Sequence, residues 1–419
     1  MTRRDGTNVF QLRVRTGHPD FLDLPWTSSV AEWSRDRVAE VTLGIHRHPV
    51  QVVDYDEGRY VVKELPRHYA QREWDNLRRL AEEKVPAVTI VGLVTGRTTD
   101  DDEALDAAVI TRWLDWSIPY RMLFARVQPR ALRDPMIDAL VDLLVRAHLS
   151  GFLWGDCSLS NTLFRRDAGR LAAYVVDTET GSLHAELTDG QREWELDLAI
   201  EKCAGELFDL QAAGMLDPDV DPSELGDDLR ARYEALWSEL THEEVLHPDE
   251  RHRVHERLRR INDLGYDVDE VELVGDHGSA GLRLRISVPE PGRHSRLLFE
   301  LAGVEAQDNQ ARELLSDIHA FGAWLEDREG RPLSDTVKAH RWHEQVFQPV
   351  LDAVPGAVRG RREPAEIFHG ARRYWLRRCH DEGRDVDRLQ AAADWAAEVL
   401  ATDTGVLDLD AVRQAADDA

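Results

Sequence analysis

Two aspartates and one asparagine are the residues of this chain whose types and spacing best fit a chemical role. Asp156 is followed five positions later by Asn161, and Asp177 ends the apolar run 174–176. Phosphoryl transfer needs an acceptor hydroxyl held in line and cations that neutralise phosphate charge. We expect Asp156 to be the catalytic residue that orients the hydroxyl. Asn161 and Asp177 would supply the oxygen ligands that Mg²⁺ prefers. The alternative is a β-hairpin with a solvated aspartate and a capping asparagine.

A lysine and a glutamate upstream have the spacing of a nucleotide-binding pair. Lys63 lies in the strand-like run 60–65, and Glu73, ten positions later, begins an amphipathic helical stretch. In kinase-like folds such a lysine contacts the α- and β-phosphates, and the glutamate holds it in place. Lysine is scarce in this chain, which makes a chance lysine at this position less expected. The alternative is an exposed lysine on an edge strand and a surface glutamate.

The remaining nucleotide contacts are predicted from position along the chain. The loop 43–49 precedes the predicted hairpin and carries a single glycine, Gly44, where kinase-like loops usually have three. Its backbone, together with Arg47 or His46, would cover the phosphates. Trp113 and Leu114 follow a predicted strand and would form the hinge that contacts adenine.

Three further residues are predicted to support the site. His148 ends the helical stretch 119–150, and Glu179 lies two positions after the predicted metal ligand Asp177. Asp197 lies in the predicted helix 191–211, where it would accept hydrogen bonds from the backbone of the catalytic loop. The alternative for Asp197 is a position on the helix surface.

Hydrophobic periodicity divides the chain into two predicted halves. The fold class is predicted to be α+β, a two-lobed protein-kinase-like fold followed by a helix-rich α+β domain with a small antiparallel sheet. The strands of that sheet are predicted at 270–274, 282–288 and 297–301. The predicted divisions are an N-terminal extension (1–40), an N-lobe (41–114), a C-lobe (115–216), a linker (217–227) and a C-terminal domain of unknown function (228–405).

Composition excludes several classes of partner. The formal net charge of −27 argues against a nucleic-acid or anionic-membrane partner, which would require a basic face. No apolar run approaches the roughly 18 residues of a membrane span, and no signal peptide is evident. The three cysteines are far apart and odd in number, which is typical of a protein of the reducing cytoplasm.

The motifs resemble those of a known family. The segment from Lys63 to Asp177 resembles the lipopolysaccharide-kinase-like (Kdo/WaaP-like) branch of the protein-kinase fold. The whole chain is similar to actinobacterial proteins that join such a half to a C-terminal domain of unknown function. The matching stretches are 21–26, 152–163, 204–207, 309–312 and 363–369.

The resemblance implies a two-lobed fold that uses Mg·ATP, but it implies no substrate. It assigns roles to the residues Lys63, Glu73, Asp156, Asn161 and Asp177. The chain departs from the kinase pattern at two motifs. Trp154-Gly155 replaces the usual His-Arg before the base, and Asp177-Thr178-Glu179 replaces Asp-Phe-Gly.

Three function classes remain open at this point. The first is an ATP- and Mg²⁺-dependent phosphotransferase, for which a small or non-protein acceptor is slightly favoured. The second is a nucleotide-binding pseudokinase that acts through its C-terminal domain, and the third is a nucleotidyl transferase of the same fold. A protein partner or a homo-oligomer formed through the C-terminal domain also stays open.

Overall fold

The computed structural model describes residues 9–34, 37–39, 47–126, 129–216, 220–242, 244–246, 250–263, 270–275, 282–287 and 292–402.

A five-stranded antiparallel sheet and one helix form the N-lobe. In chain order these elements are β1 (Gln11–Val14), β2 (Val50–Tyr55), β3 (Gly58–Leu65), α1 (Arg67–Glu82), β4 (Ile90–Thr95) and β5 (Ala107–Arg112). The sheet order is β1-β4-β5-β3-β2, so β3 pairs with both β2 and β5. Helix α1 packs on one face of the sheet through Trp74 and Leu77. The aromatic segment 21–33 packs on the other face, which buries β4 along its whole length.

The C-lobe is built from helices around a small sheet. Its elements are β6 (Ile118–Pro119), α2 (Tyr120–Arg126), α3 (Pro129–Leu149), β7 (Phe152–Leu153), β8 (Thr162–Asp167), β9 (Arg170–Val175), β10 (Ser182–Leu183), α4 (Asp189–Ala212) and α5 (Pro222–Thr241). Strands β8 and β9 form a hairpin in which Thr162 lies opposite Val175. Its two turn residues, Ala168 and Gly169, both have positive φ (54° and 86°), as a tight hairpin turn requires. This register brings Asn161 and Asp177 to the same end of the hairpin.

Helix α5 packs with the C-lobe. Its residues Leu225, Leu229, Tyr233 and Leu236 are buried in the same hydrophobic core as α3 and α4. The predicted start of the C-terminal domain at 228 lies inside this helix. The predicted division of the chain therefore cuts an element that the C-lobe core contains.

The C-terminal part is helix-rich. Its elements are β11 (Glu244–Leu246), α6 (Arg251–Asp263), β12 (Glu270–Gly275), β13 (Leu282–Ser287), α7 (Arg293–Ala302), α8 (Asp308–Glu329), α9 (Asp335–Trp342), a π-helix (His343–Phe347), α10 (Gln348–Asp352), α11 (Gly356–Arg359), α12 (Pro364–Glu382) and α13 (Arg388–Thr402). The three strands form an antiparallel sheet in the order β11-β13-β12. The helices from α7 onward share a separate core around Trp342 and Phe368.

The predicted strand at 297–301 is wrong. These residues lie in helix α7, which begins after Gly292 and ends before Gly303, and both glycines are in the left-handed conformation. The short run Leu-Leu-Phe-Glu-Leu fits either period, so the run itself could not decide between strand and helix. In the structure only Leu298 of the helix is fully buried, while Leu297 and Phe299 are exposed. The third strand of the small sheet is β11 instead.

The predicted fold class is confirmed, since a two-lobed kinase-like half precedes a helix-rich α+β half with a small antiparallel sheet. No helix in the part of the chain that the structure describes has the length and apolar character needed to cross a membrane.

Candidate functional site

Lys63 lies at the centre of a carboxylate cluster between the two lobes. Its Nζ is 3.1 Å from Glu73 Oε2, 2.7 Å from Asp177 Oδ2 and 2.9 Å from Glu179 Oε2. Lys63 comes from the interior strand β3, and Glu73 comes from the buried face of α1. The contact predicted between Lys63 and Glu73 is therefore present.

The cluster carries more negative than positive groups. Burial raises the pKa of the Glu73 carboxyl to about 8, and this effect outweighs the opposing attraction of Lys63. Burial acts to lower the pKa of Lys63, but the charges of Glu73 and Asp177 raise it above its ordinary value. Lys63 is therefore a cation at neutral pH, while Glu73 retains a proton at pH values below its raised pKa of about 8. His48 Nε2 lies 3.4 Å from Glu179 Oε1 at the edge of the cluster.

The carboxylate cluster has the donor set of a hard cation. Oxygen atoms of Glu73, Asp177 and Glu179 all lie within 4.8 Å of one another. Oxygen ligands of this kind fit Mg²⁺, and a cation bound there would balance the excess of carboxylates. The residues present therefore fit the metal that the sequence predicts.

The loop 154–161, predicted to be the catalytic loop, joins Asp156 to the same cluster. Asn161 Nδ2 donates to the Asp156 carbonyl oxygen at 3.0 Å, so the amide oxygen of Asn161 is the atom that can serve as a metal ligand. The Val176 N–H donates to the Asn161 carbonyl oxygen at 3.1 Å, and the Trp154 indole donates to the Asp177 carbonyl oxygen at 2.6 Å. These bonds fix the loop against the strand end that carries Asp177.

Two family profiles match different halves of the chain. Residues 55–199 match the Lipopolysaccharide kinase (Kdo/WaaP) family, and this segment contains Lys63, Glu73, Asp156, Asn161 and Asp177. This match confirms the predicted resemblance of the segment to that family. Residues 235–400 match the Domain of unknown function DUF4032. No curated protein matches the chain.

Solved structures of kinases are similar to part of the chain. One is "WaaP in complex with acyl carrier protein", at 17% identity and a TM-score of 0.34, covering 54% of this chain and 89% of that one. Another is a BubR1 kinase domain, at 12% identity and a TM-score of 0.28, covering 38% of this chain and 51% of that one. A third is the yeast RNA polymerase II CTD kinase CTDK-1 complex, at 15% identity and a TM-score of 0.26, covering 35% and 46%.

Glu195 binds the backbone of the loop that contains Asp156. The Glu195 carboxylate accepts hydrogen bonds from the N–H groups of Trp154 and Gly155, at 3.0 and 2.5 Å. His148 Nε2 lies 2.9 Å from the same carboxylate, and His148 Nδ1 lies 2.7 Å from the Tyr233 hydroxyl. His148 is thus buried and reaches the loop through Glu195, and its supporting role stays a prediction.

The prediction for Asp197 is wrong in the residue it names. Asp197 is on the surface of α4, with its side chain 69% exposed, and it pairs with Arg230. Residues that are two positions apart on a helix point to nearly opposite sides. Glu195 therefore faces the loop, while Asp197 faces solvent. The alternative of a position on the helix surface describes Asp197.

Helix α4 supplies two more residues that the sequence interpretation missed. Lys202 forms an ion pair with the Asp156 carboxylate. Glu206 accepts hydrogen bonds from the N–H groups of Leu159 and Ser160, at 2.7 and 3.0 Å. Residues 195, 202 and 206 are seven and four positions apart, which is the spacing of one helix face. The scarcity of lysine, together with this spacing, is the signal that could have identified Lys202.

The predicted nucleotide contacts have mixed outcomes. Gly44 and His46 lie outside the described residues. Arg47 is described and is exposed. Trp113 donates its N–H to the Arg59 carbonyl oxygen at 2.9 Å, and Leu114 packs against the C-lobe core, so both lie where the two lobes join. Their predicted contact with adenine stays a prediction.

Proposed function

We propose that this protein is an ATP- and Mg²⁺-dependent phosphotransferase of kinase-like fold. The observation that carries the proposal is the position of Lys63, whose ammonium contacts both Glu73 of the N-lobe and Asp177 of the C-lobe. This is the pairing that phosphoryl transfer on a kinase-like fold requires. The match of residues 55–199 to the lipopolysaccharide kinase family supports it.

Each residue of the site has a role in that reaction. Lys63 binds the α- and β-phosphates, and Glu73 holds its ammonium in position. Asp177 and Asn161 hold Mg²⁺, with Glu179 as a further oxygen ligand in the same cluster. Mg²⁺, when bound, supplies the positive charge that neutralises the phosphate oxygens.

Asp156 and Lys202 act on the transferred group. The acceptor hydroxyl oxygen forms a bond to the γ-phosphorus while the bond from that phosphorus to the β-phosphate oxygen breaks. The hydroxyl proton passes to the Asp156 carboxylate, and ADP leaves. Lys202, held beside Asp156 by their ion pair, places a cation where charge develops on the phosphoryl oxygens.

A small or non-protein acceptor fits this site better than a protein. The segment after Asp177 reads Thr-Glu in place of Phe-Gly, and helix α4 begins soon after it at Asp189. Thr178 and Glu179 are buried, and Asn76 donates to the carbonyl oxygens of Thr178 and Gly181 at 2.8 and 3.0 Å. A segment fixed in this way differs from an activation loop that moves to admit a peptide.

Three unpaired cysteines agree with a cytoplasmic location.

A nucleotide titration tests the proposal. Because a ligand that binds only the folded state stabilises it, ATP at about 100 dissociation constants should add about 2.7 kcal/mol to the free energy of unfolding. This stabilisation should require Mg²⁺. Absence of stabilisation by any nucleotide, with or without Mg²⁺, would contradict the proposal. Mass spectrometry of candidate acceptors after incubation with Mg·ATP should then detect added phosphate. An added nucleotidyl group would indicate nucleotidyl transfer, and binding without turnover would indicate a pseudokinase.

A further inference from the structure

The C-terminal half contacts the hairpin that joins the two predicted metal ligands. Strand β8 begins directly after Asn161, and β9 ends two residues before Asp177. This hairpin packs against the N-termini of α8 and α12 in the DUF4032 segment. We call this contact the hairpin interface and define it by residues 165–167 and 174 on one side and 307–310, 363 and 366 on the other.

Asp167 is a buried charged group of the hairpin interface, with only 4% of its surface exposed. Its Oδ1 accepts from the Gln310 N–H at 2.8 Å. Its Oδ2 accepts from the Asn309 N–H at 3.2 Å and from Asn309 Nδ2 at 3.0 Å. The hairpin thereby places a carboxylate at the N-terminus of α8, where unpaired N–H groups and the helix dipole both favour negative charge.

Hydrogen bonds of two glutamine side chains extend the hairpin interface on both sides of Asp167. Gln310 Nε2 donates to the Arg166 carbonyl oxygen at 2.9 Å, while Gln310 Oε1 accepts from the Gln307 N–H at 3.0 Å. The Gln307 side-chain amide contacts the Tyr174 hydroxyl. When the amide nitrogen of Gln307 faces the Tyr174 hydroxyl and donates to it, the amide oxygen accepts from the Arg165 guanidinium at 2.9 to 3.1 Å.

Two ion pairs complete the hairpin interface. Arg165 pairs with Glu363 at 2.6 Å, and both side chains are largely buried. Arg166 pairs with Glu366 at 3.3 Å. Buried ion pairs of this kind are costly to separate, because removing one partner leaves the other charge without compensation. The hairpin is therefore held along both of its strands.

The same hairpin is held from the N-lobe side as well. The Val88 N–H donates to the Val175 carbonyl oxygen at 2.9 Å, and the Val175 N–H donates to the Pro86 carbonyl oxygen at 3.0 Å. Strand β9 thus receives contacts from the N-lobe at its end near Asp177 and from the C-terminal half at Tyr174. A displacement of either contact would move the position of Asp177.

We infer that the DUF4032 half is a positioning element, which fixes Asn161 and Asp177 for metal binding by holding the β8–β9 hairpin through Asp167. The inference rests on the proposed function, since it assigns the second half of the chain to the same site. It also gives a role to part of the two family-like stretches 309–312 and 363–369, because residues 309, 310, 363 and 366 lie in the hairpin interface. Coupling between two distinct sites of a protein typically changes affinity by about 5- to 150-fold.

Hydrogen exchange on the wild-type protein tests the inference without any variant. Coupling between two sites is reciprocal, so Mg·ATP should slow the exchange of the N–H groups of Asn309 and Gln310 as well as those around Asp177. Slowed exchange around Asp177 with no change at 307–310 and 363–366 would overturn the inference. No change anywhere on adding Mg·ATP would instead contradict the proposed function.

Substitution at the hairpin interface gives the second test. Asp167→Asn should weaken Mg²⁺ binding at fixed ATP by about 5-fold or more and leave metal-free nucleotide binding unchanged. Asp317→Asn is the matched control, because Asp317 is buried in the same half and accepts from Trp342 Nε1 at 2.7 Å without contacting the hairpin. Equal Mg²⁺ affinity in wild type and folded Asp167→Asn would overturn the inference.

A milder pair covers the case in which Asp167→Asn does not fold. Arg165→Gln and Glu363→Gln, singly and together, form a double-mutant cycle on one ion pair of the hairpin interface. A coupling in Mg²⁺ affinity supports a positioning role. A coupling in the free energy of unfolding alone, with unchanged Mg²⁺ affinity in all three variants, would show a purely structural role and would overturn the inference.

Discussion

Lys202 of helix α4 forms an ion pair with Asp156 of the catalytic loop. The two groups are partly exposed, with 37% of the Lys202 side chain and 27% of the Asp156 side chain accessible, so solvent and small molecules can reach the pair. Lys63 and Lys202 are two of only four lysines in the chain, and each contacts one of the two aspartates that the sequence singled out. In the proposed reaction, the metal ligand Asp177 and the base Asp156 thus each have a lysine beside them.

The first prediction concerns the role of Lys202. Lys202→Met should lower the rate of ATP hydrolysis by about 10² to 10³, because it removes a cation from the charge that develops during transfer. The Kd of Mg·ATP should stay nearly unchanged, and Lys202→Arg should retain part of the activity. Lys338→Met, which alters a lysine paired with Glu326 in the C-terminal half, is the matched control. A loss of nucleotide affinity equal to the loss of rate would count against this role.

The second prediction separates the two aspartates. Asp177→Asn should weaken Mg²⁺-dependent ATP binding as well as turnover, because Asp177 is a proposed metal ligand. Asp156→Asn should leave Mg·ATP binding nearly intact but lower turnover by about 10² to 10⁴, the typical contribution of proton transfer by a positioned group. Isothermal titration and an ATP hydrolysis assay measure the two quantities. If both variants bind and hydrolyse ATP like the wild type, the activity comes from another site.

The third prediction concerns pH and Glu73. The pKa of folded Glu73, about 8, lies above the ordinary value of 4.5, so the folded state binds more protons between these values. The stability contributed by this group is therefore present below about pH 4.5 and is lost as the pH rises to 8. In metal-free buffer, Glu73→Gln should flatten this part of the pH dependence of urea unfolding. Glu83→Gln, on the exposed end of the same helix, is the control. Identical pH profiles for Glu73→Gln and wild type would contradict the assignment.

The fourth prediction compares two acidic residues on one helix. Glu195→Ala should destabilise the protein by about 3–5 kcal/mol, because it leaves two N–H groups and His148 without their buried partner. Asp197→Ala should change stability by less than about 1 kcal/mol, since it removes only an exposed ion pair. Thermal or urea unfolding of both variants measures the difference. Equal effects would mean that Glu195 is not the support of the catalytic loop.

The parts of the site that were predictable from sequence have strong local signals. Lys63 and Glu73 lie at fixed positions on a strand and a helix whose periodicities are clear, and Asp177 follows a short apolar run. The structure brings these residues into one cluster. The hairpin register likewise follows from a tight turn, which places Asn161 next to Asp177.

The parts that were missed depend on contacts between elements distant in sequence. Glu195 and Asp197 are both acidic residues near the start of one helix, and only the buried stripe through Ala199 and Cys203 distinguishes them. The ion pair of Lys202 with Asp156 joins α4 to a residue more than forty positions earlier in the chain. The helix at 297–301 was mistaken for a strand because its apolar run is too short to show a period.

The position of helix α5 limits where recombination could separate the two matched segments of the gene. The DUF4032 match begins at residue 235, inside α5, whereas Tyr233 and Leu236 of this helix are buried in the C-lobe core. A recombination event at the border of the two families would cut the helix and remove part of the core that supports His148. We therefore expect descendants of this gene to keep both segments, in this order and with nothing inserted at their junction.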